Sequence, residues 1–162
     1  MSSVTVNSNV EIVKLKIQGA INRAAQKIGG IIEGHAKDLC PVDTGYLRNS
    51  ICHGMGGQYL QRHYSAIKAD ENGEVRKGKC YVQFPTDEKY KRTVYVGTNV
   101  EYAPYVELGH AQQPGRFVPA IGKRLKASHV AARPFLRPAW QNNMQEIGQA
   151  LHDEMVRSCV DT

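Results

Sequence analysis

The sequence predicts an α+β domain: a small, mainly antiparallel sheet packed against a long N-terminal helix and a C-terminal helix, with a long flexible arm. Two amphipathic stretches, one near each end, carry apolar residues at helical spacing. Between them lie short alternating segments, separated by glycine-rich and charged connections, as strands joined by turns would be. No internal repeat or low-complexity tract breaks the order, so residues 1–162 read as one domain with arms.

The first helix is expected over residues 9–39. Val10, Val13, Ile17, Ile21, Ala24, Ile28, Ile31 and Ala36 recur at steps of three to five, and Ser8 or Asn9 can cap the start. Gly29, Gly30 and Gly34 weaken its second half, by up to about 1 kcal/mol each, so it either kinks or has a neighbouring backbone close against it. Pro41 ends it, Asp43 and Thr44 can accept hydrogen bonds from the following amides, and Gly45 is free to take a positive φ. "YLRNSICH" then reads as a half-buried strand, with Leu47 and Ile51 on one face.

Residues 54–79 hold glycines and a dense mixture of charges, and read as a mobile arm or a hairpin turning at "ENG". "KCYVQFP" and "KRTVYVGT" alternate like strands, and the polar "TDEKYK" between them makes an antiparallel pair the simplest arrangement. "VEYAPYVELGH" reads as a short helix with Pro104 in its first turn, Gly109 at its end and Tyr102, Tyr105 and Val106 on one face. Residues 110–133 contain Arg116, Lys123, Arg124, Lys126 and Arg133 and no acid, and read as a basic loop. The second helix is expected over 138–158, with Trp140, Met144, Ile147, Leu151 and Met155 as its core-facing stripe.

Composition narrows the function. Hydrophobic residues make up 41%, enough for a modest core that leaves surface over for partners. No apolar run reaches the roughly 18 residues that a spanning helix needs, and the N-terminus lacks the order of a secretory signal, so a cytoplasmic place of synthesis is expected. The net charge of +6 suits proximity to nucleic acid without requiring it.

Catalytic patterns are scarce. There is no phosphate-binding glycine loop, no GxSxG elbow and no HExxH. Cys40, Cys52, Cys80 and Cys159 form no CxxC pair and match no zinc spacing; in a reducing cytoplasm they are expected to be mostly buried thiols. Cys52 and His53 would point to opposite faces of a strand, which defeats them as nucleophile and base. Asp43 is most simply a turn-former, and Glu107 is expected to pair with a basic residue or face solvent. Tyr90, Tyr95, Tyr102 and Tyr105 are better placed at a core edge or subunit interface than as a stacking surface for bases. No catalytic residue, cofactor or metal is expected.

"CPVDTGYLRNSI", "VGTNVEYAPYVELGH" and "ARPFLRPAW" occur in this order between the two amphipathic stretches. Together they resemble the head–tail connector and tail-completion (neck) proteins of long-tailed double-stranded-DNA bacteriophages, the HK97-type tail-component family. The matching residues are Pro41, Asp43, Thr44, Gly45, Leu47, Arg48 and Ser50; Gly97, Thr98, Tyr102, Ala103, Tyr105, Glu107 and Gly109; and Arg133, Pro134, Phe135, Leu136, Pro138 and Ala139. The chain departs from the family at His110, where threonine is usual, and in the length of its basic loop. The resemblance implies a structural virion protein, assembled in the host cytoplasm and located at the head–tail junction. Such subunits form a homo-oligomeric ring, commonly a hexamer, that contacts other neck and tail-tube or tail-terminator proteins and passes genomic DNA without reading its sequence. Arg62, Arg76, Lys77, Arg116, Lys123, Arg124 and Lys126 are the candidate contacts to neighbouring subunits or DNA, and no membrane is involved. A basic nucleic-acid-binding module outside any virion is the alternative, and an enzyme ranks last.

Overall fold

A computed structural model describes residues 9–69, 73–83, 92–119 and 122–160. The chain is α+β. Helix α1 (Val10–Leu39) forms the spine, and α2 (Tyr46–Ser50) follows it. Strands β1 (Cys52–Met55), β2 (Tyr59–Ser65), β3 (Lys77–Gln83) and β4 (Val94–Gly97) lead to α3 (Ala103–Leu108). Four two-residue strands come next, β5 (His110–Ala111), β6 (Phe117–Val118), β7 (Lys123–Arg124) and β8 (His129–Val130). Helices α4 (Leu136–Gln141) and α5 (Met144–Val160) close the chain.

Helix α5 runs antiparallel along α1. Ser158 Oγ donates to the Lys16 carbonyl at one end, Arg23 pairs with Glu154 at 3.2 Å, and His35 meets Glu146 at 2.8 Å at the other. Because this partner stops near Lys16, only the later turns of α1 are covered. Ala20, Ala24, Ile32 and Ala36 are buried, while Val10, Val13 and Ile17, expected in the core stripe, are exposed. The core gathers Ile32, Ala36, Leu47, Ile51, Val100, Phe135, Ala139 and Ile147.

Several local expectations are corrected. "YLRNS" is a helix, not a strand: Gly45, at φ 79°, opens it, and Tyr46, Leu47 and Ser50 are buried at helical spacing. The four-residue step from Leu47 to Ile51 fits one strand face and one helix face equally well, so periodicity could not separate them. The expected pairing of "KCYVQFP" with "KRTVYVGT" is replaced by two others. β3 pairs with β2 (Arg62 opposite Cys80) and β4 pairs with β1 (His53 opposite Val96), both antiparallel. Segment 59–83 is thus a hairpin whose tip, like the "TDEKYK" connection and Phe84, lies outside the described residues.

Residues 110–119 and 122–130 form a ribbon rather than a loop. β5 pairs with β8 and β6 with β7, and between the two ladders Gly115 N–H donates to the Leu125 carbonyl and Leu125 N–H to that of Arg116. The second helix breaks around Asn142–Asn143. Its covered face is Ile147, Ala150 and Glu154, while Trp140, Met144 and Leu151 of the expected stripe are exposed.

Helix α1 continues through all three glycines. What lies against Gly29 is a side chain: a Cβ there would sit 2.6 Å from the His53 ring, whereas one at Gly34 would meet nothing within 4 Å. Gly29→Ala is therefore expected to cost about 1–2 kcal/mol through overpacking, and Gly34→Ala to gain about 0.5–1 kcal/mol in helix propensity. Opposite shifts in urea midpoint between these variants are the check; equal shifts would refute the contact.

Candidate functional site

The three sequence motifs meet in one place. Thr44 begins it: its Oγ1 accepts from Tyr46 N–H at 3.4 Å, and its carbonyl accepts from Ile67 and Lys68 N–H at 2.7 and 3.1 Å. The turn after Pro41 is thereby stitched to the exit of β2. A Cβ at Gly45 would lie 2.7 Å from Ile67, so close approach as well as positive φ requires glycine there. Asp43 is exposed, Arg48 half-buried, and Leu47 and Ser50 buried. The Ser50 hydroxyl bonds that of Thr98, whose Oγ1 also accepts from Val100 N–H at 3.1 Å. That joins the first motif to the second.

Glu107 joins the second to the third. Its carboxylate accepts from the backbone N–H of Phe135 (2.7 Å), Leu136 (3.0 Å) and Arg137 (3.0 Å). These are orphan donors at the start of α4, whose own N-cap residue, Phe135, has no side-chain cap. Glu107 thus caps a helix from 28 residues away. Burial works against its charge, but the three amides and Arg137 win and hold the carboxyl below the usual range. The expectation of a basic partner or solvent is replaced by backbone amides. Gly109, at φ 71°, lets α3 end hard against the chain near Val130 and Ala132, where a Cβ would clash with backbone at 2.6 Å. Arg133 N–H donates to the Val106 carbonyl at 2.8 Å.

Of the remaining matched residues, Ala103, Phe135 and Ala139 are buried, and Pro41, Gly97, Pro134, Leu136 and Pro138 are half-buried. Tyr102 and Tyr105 are exposed beside half-buried Val106, and the Tyr105 ring meets His110 edge-on at 5.3 Å.

A second polar cluster escaped the sequence reading. Glu33, on the covered face of α1, bonds His53 Nδ1 at 2.6 Å, Arg62 at 2.7 Å and Lys37. Burial raises its pKa, but these three partners outweigh it and hold the carboxyl far below the usual range. Arg62 is held against Glu33 by this pairing while part of its side chain stays in solvent. Arg76 lies 4.3 Å from the centre of the Tyr46 ring, and Lys77 is exposed. Arg116, Lys123, Arg124 and Lys126 all lie exposed on the ribbon, with Arg124 donating to the Gly115 carbonyl at 2.8 Å. Between Glu107 and Glu146 there is no acid.

Two apolar clefts share Leu136. One, of about 460 Å³, lies between Val100, Pro104, Leu108 and Leu136; the other, of about 210 Å³, between Ile28, Val94, Val96, Leu136 and Trp140. Leu108 is 71% and Trp140 45% exposed beside them. Among the described residues no group of three or more histidine, cysteine or acidic side chains could hold a metal, and no helix is long and apolar enough to cross a membrane. Cys40, Cys52 and Cys80 are buried thiols and Cys159 an exposed one. Burial pushes the Cys52 thiol, which faces Cys80, up to about 12.

Compared with models of protein families, residues 5–109 match the HK97-gp10-like model, described as "Bacteriophage HK97-gp10, putative tail-component". The match stops where the ribbon begins, so Arg133–Ala139 lies beyond it, bound to the matched part through Glu107. No curated protein and no solved structure gives a significant match.

Proposed function

Because the chain belongs to the HK97-gp10-like family of bacteriophage tail components, we propose that it is a non-enzymatic structural subunit of the virion neck. In this reading it is a tail-completion or head–tail joining protein, and copies of it close into a ring between capsid and tail, hexameric in the form usual for such proteins. Genomic DNA passes through the centre.

The observation that carries this reading is where the chemistry is spent. The motif side chains with short-range partners, Thr44, Ser50, Thr98 and Glu107, turn inward and lock the elements together. What faces outward is a basic ribbon, a hairpin, and apolar clefts flanked by exposed Leu108 and Trp140. Apolar clefts with aromatic and leucine rims suit protein contacts, and a head-to-tail contact that closes makes a ring. The ribbon's cations suit phosphates contacted without base readout, or an acidic neighbour.

Removing residues 57–77 would not test the hairpin cleanly. It would take away β2, buried Ala66 and the Thr44 bonds to Ile67 and Lys68. Surface substitutions are the better probe. Leu108→Glu with Trp140→Ala is expected to abolish ring formation in light scattering and negative-stain images, with the melting temperature within about 3 °C of the parent. Rings that survive the pair remove the clefts from the interface.

The ribbon favours one second reading, a basic nucleic-acid-binding module. A parent protein that stays monomeric at high concentration, and binds DNA tightly with a steep salt dependence lost on replacing Arg116, Lys123, Arg124 and Lys126 by alanine, would establish that reading instead.

A further inference from the structure

Cys52 on β1 and Cys80 on β3 belong to different two-stranded ladders, yet their sulfurs lie 3.4 Å apart. Both side chains are shut away from solvent, at 4% and 0% exposure. Cys40 offers the contrast: it is equally buried, but its thiol faces a backbone carbonyl, that of Pro41, at 3.7 Å. A disulfide needs sulfurs about 2.05 Å apart, and rotation about the two Cα–Cβ bonds is the motion that would bring this pair to that separation.

We propose that Cys52 and Cys80 form an oxidation site, a dithiol that closes to an intramolecular disulfide and staples the β2–β3 hairpin to the β1–β4 ladder. The oxidant is a small-molecule disulfide such as oxidised glutathione. Local opening lets one cysteine, as thiolate, attack a glutathione sulfur; that S–S bond breaks and one glutathione thiolate leaves. The second cysteine then attacks the protein sulfur of the mixed disulfide and expels the other glutathione. Two cysteine thiols are oxidised, one glutathione disulfide is reduced to two thiols, and the two cysteine protons pass to the departing thiolates.

Burial makes the first step slow, because the attacking thiolate is rare until the hairpin opens. The pair therefore stays reduced where thiols dominate and closes where disulfides do. The bond encloses the segment from Cys52 to Cys80, a long loop whose freedom in the unfolded chain it removes. This chemistry does not depend on how the subunit assembles.

The test uses the unmodified protein, folded, in mixtures of oxidised and reduced glutathione. Intact mass is expected to fall by about 2 Da with no retained glutathione on the pair, and digestion should yield a cross-linked Cys52–Cys80 peptide. The melting temperature should rise by roughly 5–10 °C and return on adding dithiothreitol. Three results would overturn the proposal: persistence of both thiols in the oxidising mixture, a glutathione adduct that never resolves, or a bond to Cys40 or Cys159 instead.

Discussion

Replacing Glu107 with alanine is expected to lower stability by about 3 kcal/mol, a large loss for a half-buried position. Three N–H groups at the start of α4 lose one shared anionic acceptor, and no local side chain stands ready to replace it. Phe135, one of the three donors, is fully buried, so its backbone cannot simply turn to water. For a domain of this size the loss amounts to roughly 6–12 °C in melting temperature. Glu107→Gln separates shape from charge: it keeps a carbonyl oxygen and should recover about a third to a half of the loss. The sign with pH follows from the lowered carboxyl pKa. The contribution is complete above the unfolded value of about 4.3 and fades as pH falls toward the folded one, so parent and Glu107→Gln should converge in acid. A gap that stays constant from neutral pH to about pH 3 would mean that the capping charge is not what is lost.

The same residue shows what could be read from one chain and what could not. Glu107 and Phe135 were each marked by the resemblance, but their bond spans 28 residues, and no local pattern announces a helix capped from another helix. Local spacing was sufficient for α1 and α3, where proline, glycine and periodicity act within a few residues. It failed where two structures share a period, as for Leu47 and Ile51, and where pairing was inferred from nearness along the chain. β3 takes β2 rather than β4 as its partner, although "TDEKYK" is a plausible hairpin length. In the C-terminal stripe an apolar residue was equated with a buried one. Met144 and Leu151 are exposed because α1 covers the Ile147–Ala150–Glu154 face of α5 instead, and Trp140 stands before the helix break, on α4.

Glu33→Gln is expected to cost about 2–3 kcal/mol at neutral pH, less than the loss for a fully buried ion pair, because the partners reach solvent. The Glu33 side chain is 9% exposed, against 42% for Arg62 and 31% for Lys37, so water screens one end of each pairing. The amide keeps one acceptor for three former partners and brings N–H donors toward cations, so at least two bonds are lost. The effect should travel: His53 holds Glu33 and also lies against Gly29, and Arg62 sits opposite Cys80 in the hairpin. Amide exchange in β1 and β2 is therefore expected to quicken more than exchange in α5. With the folded carboxyl depressed, its contribution is fully present above about pH 4.3 and is lost as pH falls. Parent and variant should thus differ most near neutrality and draw together below about pH 4. If Glu33→Gln were as stable as the parent at pH 7, the bonds from His53, Arg62 and Lys37 would be incidental, and the anchoring of the hairpin to α1 would have to rest on other contacts.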